Sequence, residues 1–355
     1  MNTTAQTYAL LTLTVLLSAC GGGGSSGSSS ATTSEDPVIT IDEPSTTGTP
    51  TTVTQSNLQT SSSSDYVVGS AQQQALLLLN NQRGLCGFGL LNQNAALDQA
   101  TKSHASYLVL NGFTDAHTES NASLPFFTGK TPKIRAIAAG YAFGSLSAQL
   151  VTSTGVTASA IEAKRSVQGL LSAPYHLAGM MSGARDVGIA LIESADIANA
   201  PANRLVFNML LGTQTGVPQQ QGAADQVSTY PCQGVTGTPT GLFNESPSPV
   251  ADSRNLQTNP VGHPIYVQAN LGQTLTVSDF SIKDPAGVAV TAQLTTQATD
   301  RHGMLKSNQA FILPLAPLAA NTSYQVHVEG LRGLSGSSVP YTVDFSFQTG
   351  ATNTF

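Results

Sequence analysis

The chain has no tryptophan, little charge, no long apolar run and no basic cluster. Charged residues are 10% of its 355 residues, against about 25% in a typical soluble domain. A net charge of −6 with no run of Lys or Arg excludes a nucleic-acid-binding face, which needs a basic surface. No stretch approaches the roughly 20 apolar residues that cross a bilayer as a helix. Walker A, His-Glu-x-x-His and Cys-x-x-Cys patterns are all missing, which removes the nucleotide, zincin and dithiol chemistries they carry.

What is present begins with a short apolar run, Tyr8 to Leu17, closed by Leu17-Ser18-Ala19-Cys20. Its length suits the h-region of a signal peptide, with small residues before the cut. Leu-Ser-Ala-Cys resembles the lipobox of bacterial lipoproteins. That implies a lipid on Cys20 as the membrane attachment, each buried methylene contributing about 0.8 kcal/mol. Gly21 rather than Asp follows the cysteine, which by the same resemblance favours the outer membrane, facing the periplasm or the cell surface.

Residues 1–20 are thus expected to be a signal peptide, and the Gly/Ser/Thr-rich residues 21–64 a disordered tether unable to offset its ordering entropy. A Gly-x-Ser-x-Gly match at Gly23–Gly27 lacks the flanking strand and helix of a nucleophile elbow. Helices are expected from Gln72 to Asn80, from an Asn94 N-cap to a Gly112 stop, and from about Thr157 to before Pro174. In the second, Leu97, Thr101, His104 and Leu108 share one face, so His104 is expected in the core. Strands follow at Val187–Ile192 and Leu205–Leu211, making residues 65–229 an α+β domain. Residues 230–262, with Pro231, Pro239, Pro247 and Pro249, form a connector. Beyond it, 263–350 alternate apolar and polar in short runs: Ile265–Val267, Leu275–Val277, Val288–Val290, Phe311–Leu313, Tyr324/Val326/Val328 and Val343/Phe345/Phe347. That is a β-sandwich pattern with His327 facing solvent.

In residues 65–229, Asn80-Asn81-Gln82-Arg83, Phe113-Thr114-Asp115-Ala116-His117, Phe127-Thr128-Gly129, Arg135, Gly140-Tyr141, Ala173-Pro174-Tyr175-His176 and Asp186-Val187-Gly188 recur in the order and spacing of one family. The segment resembles the bacterial CAP/SCP-like (cysteine-rich secretory protein) superfamily; 263–350 resembles bacterial Ig-like domains. The resemblance implies a CAP-like α-β-α sandwich followed by a small all-β Ig-like sandwich. It also implies a cleft in which two histidines, matching His117 and His176, meet two acids. Two imidazoles and water can hold a divalent metal loosely, or exchange protons near neutral pH.

The chain departs from that pattern in two places. Ser147-Ala148-Gln149 stands where members carry a glutamate, and Leu170 replaces their tryptophan. Asp115 and Glu119 are the candidate replacement carboxylates, although a loop acid such as Glu119 is most often solvated. With one carboxylate lost and no activated nucleophile, hydrolysis lacks its second partner. The favoured expectation is a non-catalytic binding or interaction module for a small molecule, glycan or protein, needing no cofactor. Its rivals are a metal-assisted hydrolase using His117 and His176, and a purely structural envelope protein. With Cys20 acylated, Cys86 and Cys232 remain in an oxidising compartment, where a disulfide is expected.

Overall fold

A computed structural model describes residues 16–17, 55–113, 116–334 and 336–351. Cys20, expected to carry the lipid, and Asp115, expected as a cleft acid, lie outside the described residues. The fold is mixed α/β, 21% helical and 32% strand, with several small antiparallel sheets.

Four helices of the first part start where a side chain satisfies free N–H groups. Ser70 caps α1 (Ala71–Leu85), Asn94 caps α2 (Ala95–Asn111), Thr131 caps α3 (Pro132–Ala138) and Ser159 caps α4 (Ala160–Leu171). Gly112 ends α2, as its sequence implies. α4 stops before Pro174, as its sequence implies, and Pro174 occupies the first turn of a further helix, α5 (Pro174–Met180), where its missing N–H costs nothing.

The first sheet runs β1 (Leu16–Leu17), β3 (Phe143–Thr154), β5 (Arg204–Gln214), β4 (Asp186–Glu193) and β2 (Asn92–Gln93) in spatial order. The β3, β5 and β4 pairings are antiparallel, while β2 runs parallel to β4. On one face, Leu97 and Ala100 of α2 and Ala136 of α3 pack on Ala148 and Leu210, and Ala105 and Leu108 pack on Leu150 and Val206. A Cβ at Gly188 would stand 2.2 Å from the Leu97 carbonyl carbon, so glycine there lets α2 lie directly on β4. On the other face, Leu79, Val167 and Leu177 of α1, α4 and α5 pack on Val187, Ile189, Phe207 and Met209.

The second part has two antiparallel sheets: β11 (Ala292–Thr296), β12 (Gln309–Pro314), β9 (Ile265–Ala269) and β6 (Val227–Tyr230) in one, and β10 (Thr274–Lys283), β13 (Ser323–Leu334) and β14 (Ser337–Gln348) in the other. They meet through Val267, Ala269 and Ala310 against Leu275, Val328 and Tyr341. A small hairpin-like pair, β7 (Gly241–Leu242) and β8 (Val261–Gly262), lies in the connector. Val288–Val290, expected as a strand, is reduced to a single antiparallel bridge, Ala289 opposite Lys283, just after a turn in which the Asp284 carboxylate accepts from Ala286 N and Val288 N.

The two parts share one apolar core, in which Leu177, Met180 and Met181 join Tyr266, Phe311 and Leu313. β6 belongs to the second sheet, so the boundary expected at residue 230 cuts through a strand. Residues 57–63, expected within the tether, lie along the body. Gln59 N donates to Gln220 Oε1 (2.6 Å), Gln59 Nε2 to Leu90 O (2.8 Å) and Ser63 N to Asn92 Oδ1 (2.9 Å). The expected disulfide is present: Cys86 and Cys232 are bonded with Cα atoms 5.4 Å apart. It ties the α1 end to the connector beside the Phe88–Tyr266 ring pair.

Candidate functional site

Two buried networks and one cavity gather the chemistry-bearing side chains. The first network braces the loop after α2. His104 Nδ1 is 3.0 Å from Glu119 Oε1, and its Nε2 is 2.9 Å from the Ala116 carbonyl. Glu119 Oε2 accepts from Thr128 N (2.6 Å) and Gly129 N (3.1 Å). Arg135 donates to the carbonyls of Gly129, Lys130 and His117, and its Nε lies 3.6 Å from Glu119 Oε1. Burial works against the Glu119 charge, but hydrogen bonds from His104 and Thr128 and the Arg135 charge outweigh it, holding the carboxyl below its ordinary range. Burial, then the Arg135 charge, pulls His104 below the usual imidazole value.

Glu119 is therefore not a solvated loop acid. It is 1% exposed and commits both oxygens to backbone and His104. His104 is in the core, as its helical face implies, and owes its place to hydrogen bonds as well as packing.

The second network holds α5. Ala173, at its N-cap position, offers no side-chain cap. Glu245, from the connector, takes that role: Oε1 accepts from Tyr175 N (2.8 Å) and His176 N (3.2 Å) and lies 3.3 Å from His176 Nδ1. Both side chains are fully buried. Glu245 Oε2 has no hydrogen-bond partner among the described residues, and burial raises this carboxyl well above its ordinary range. Beside it, Tyr175 Oη donates to Asp300 Oδ1 (2.7 Å), while Asp300 Oδ2 accepts from Met304 N and Leu305 N. His302 stacks edge-on against Tyr175 at 5.9 Å. α5 is thus clamped by the connector and the β11–β12 loop.

His117 follows α2 and is tied through Arg135 to α3; His176 is on α5, on the α1 and α4 side of the sheet. Both rings are shielded, at 6% and 0% exposure. Among the described residues, no group of three or more His, Cys, Asp or Glu is arranged to hold a metal ion. The Asn80 and Arg83 pair of the family-like motif is structural. Asn80 brackets Leu91 through its N–H and carbonyl, and Arg83, wholly buried, donates to the carbonyls of Phe88, Gly89, Met180, Ser182 and Ala184. Burial alone lowers its guanidinium to about 9.

A partly open cavity of about 90 Å³ lies between α5, β3 and the second part. Its walls include Ser145 and Ser147 of β3, Gly179 of α5, Gln268 of β9, Gln309 of β12 and Met304. A Cβ at Gly179 would stand 2.5 Å from Ser147 Oγ and 2.4 Å from Gln149 Nε2, so only glycine keeps this floor as it is. Gln149 donates to Ser147 Oγ at 2.8 Å. The sequence signalled neither Glu245 nor Gln268 as a site residue. Both lie in segments whose role depends on the second part folding back onto α5.

On the His327 strand, the ring is half-exposed as expected, with Asp344 at 2.7 Å, Glu329 at 3.6 Å and Asp279 at 3.9 Å. Comparison with known protein families and with curated proteins finds no match.

Proposed function

We propose that this chain is a cell-envelope lipoprotein, lipid-anchored through Cys20. Its CAP/SCP-like first part is a non-catalytic binding module, and its Ig-like second part completes the binding cavity. The observation that carries this reading is the cavity walled by β3, α5 and β9, with serine hydroxyls and glutamine amides in it. Binding pockets favour such junctions between packed units, with few polar groups set among apolar ones. The histidines the rival hydrolase would use support the same reading: His117 is 6% exposed, and His176, on α5, is fully buried against Glu245. The rival hydrolase would draw on the raised Glu245 carboxyl beside His176, but neither side chain reaches solvent.

The test is co-sedimentation of the purified Cys20→Ser chain with an isolated Gram-negative envelope fraction, alongside peptide, ester and glycan hydrolysis assays. The reading expects saturable binding without turnover. Turnover that a folded His117→Ala, His176→Ala variant loses would replace it with the hydrolase.

A further inference from the structure

We propose that the cavity between β3, α5 and β9 binds a neutral glycan, recognised by side-chain hydrogen-bond donors. This rests on the binding-module reading and gives it a ligand class.

The wall groups have a polarity that their neighbours set. Tyr266 Oη donates to Gln268 Oε1 (2.6 Å), and Gln309 Nε2 donates to the same oxygen (3.3 Å). The acceptor end of Gln268 is therefore occupied, and its Nε2 remains as a donor. Gln309 Oε1 already accepts from Lys306 N at 2.9 Å. Ser147 Oγ accepts from Gln149 Nε2, so its own proton is free to point at a ligand. At these three residues the amide oxygens of Gln268 and Gln309 are engaged within the protein, while Gln268 Nε2 and the Ser147 hydroxyl proton remain as donors.

That polarity selects among ligands. No Asp or Glu lines the cavity, so a cation finds no counter-charge there. Lys306 is the one formal charge among its walls, and a single ammonium without a guanidinium fork makes a poor clamp for a polyanion. A peptide backbone brings obligatory N–H groups, which would meet a Gln268 amide oxygen already holding two donors, and a buried unpaired N–H is costly. A sugar hydroxyl accepts from the wall and turns its own proton to water. Leu146, Leu211, Tyr175 and Met304 supply the apolar surface that the C–H face of a sugar ring covers.

The experiment is calorimetric titration of the full Cys20→Ser chain with maltotriose and with cellotriose, trialanine serving as the N–H-bearing comparison. At least one sugar should bind saturably within about 10 mM, and trialanine should not. Gln268→Leu should weaken sugar binding about tenfold, as the loss of one donor does. The milder Ser147→Ala should weaken it severalfold with an unchanged circular dichroism spectrum, which guards against misfolding of the first variant. Saturable trialanine binding, or sugar binding indifferent to both substitutions, would overturn the proposal. Silence with both sugars while the chain still co-sediments with the envelope fraction would end the glycan inference alone. Loss of both would end the binding-module reading as well.

Discussion

His263 should make the protein acid-sensitive, and removing it should relieve that sensitivity. The ring is completely buried beside Tyr230, 6.0 Å between centroids, and neither nitrogen has a partner among the described residues. Burial alone lowers its pKa from 6.5 to about 3. The unfolded chain takes up a proton near 6.5, while the folded chain resists until about 3. Stability from this group is therefore complete above 6.5 and drains away as pH falls toward 3. At about 1.4 kcal/mol per pH unit, the loss between pH 6.5 and pH 4.5 is roughly 2–3 kcal/mol. His263→Leu abolishes that dependence and also removes two unpaired ring nitrogens, so at pH 7.5 its stability should lie within about 1 kcal/mol of the parent or above it. Urea unfolding of both proteins at pH 7.5 and 4.5 measures the difference of differences, in which every other titrating group cancels. Equal losses on acidification would refute the reasoning, because a buried neutral imidazole cannot be silent across that range.

Other outcomes rest on the two networks and the bridge. Glu245→Gln keeps an acceptor for Tyr175 N, and should gain stability over the parent as pH rises from 5 to 8; a carboxyl raised by burial favours folding only while protonated. Chemical denaturation at the two pH values reads it. Glu119→Ala leaves Thr128 N, Gly129 N and His104 Nδ1 without their Glu119 partner and removes the charge 3.6 Å from Arg135; it should cost about 2–4 kcal/mol, seen as a lowered urea midpoint. Reducing Cys86–Cys232 opens a loop spanning 146 residues. On chain-entropy reckoning this should remove roughly 4–5 kcal/mol, measured by thermal unfolding with and without reductant. Cys20→Ser should move the expressed protein from the membrane pellet to the soluble fraction.

Elements whose signals are local were legible in the sequence. Asn94, the Leu97 to Leu108 stripe and Gly112 mark α2 because capping and helical periodicity act within a few residues. β4 and β5 stand out as apolar runs because the sheet buries both their faces. β3 escaped notice: Ser145, Ser147, Gln149 and Ser153 interrupt its apolar pattern, and each has a place that only the fold supplies. α5 escaped because Pro174 ends one helix and starts another within three residues, and the missing cap arrives from Glu245. The disulfide was legible from compartment and count. The site was not, since the partners of His104, His176 and Ser147 are Glu119, Glu245 and Gln149, and of these pairs only the last is close in sequence.

The central claim is that the junction cavity binds a ligand without chemistry. The most direct measurement is envelope co-sedimentation of the Cys20→Ser chain against its Gly179→Val derivative, whose side chain must push the Ser147 and Gln149 side-chain ends out of their places at the cavity floor. The account predicts saturable binding by the first, its loss in the second with the fold retained by circular dichroism, and no hydrolysed product from either. Undiminished binding by the Gly179→Val derivative, or product formed by the parent, would contradict it.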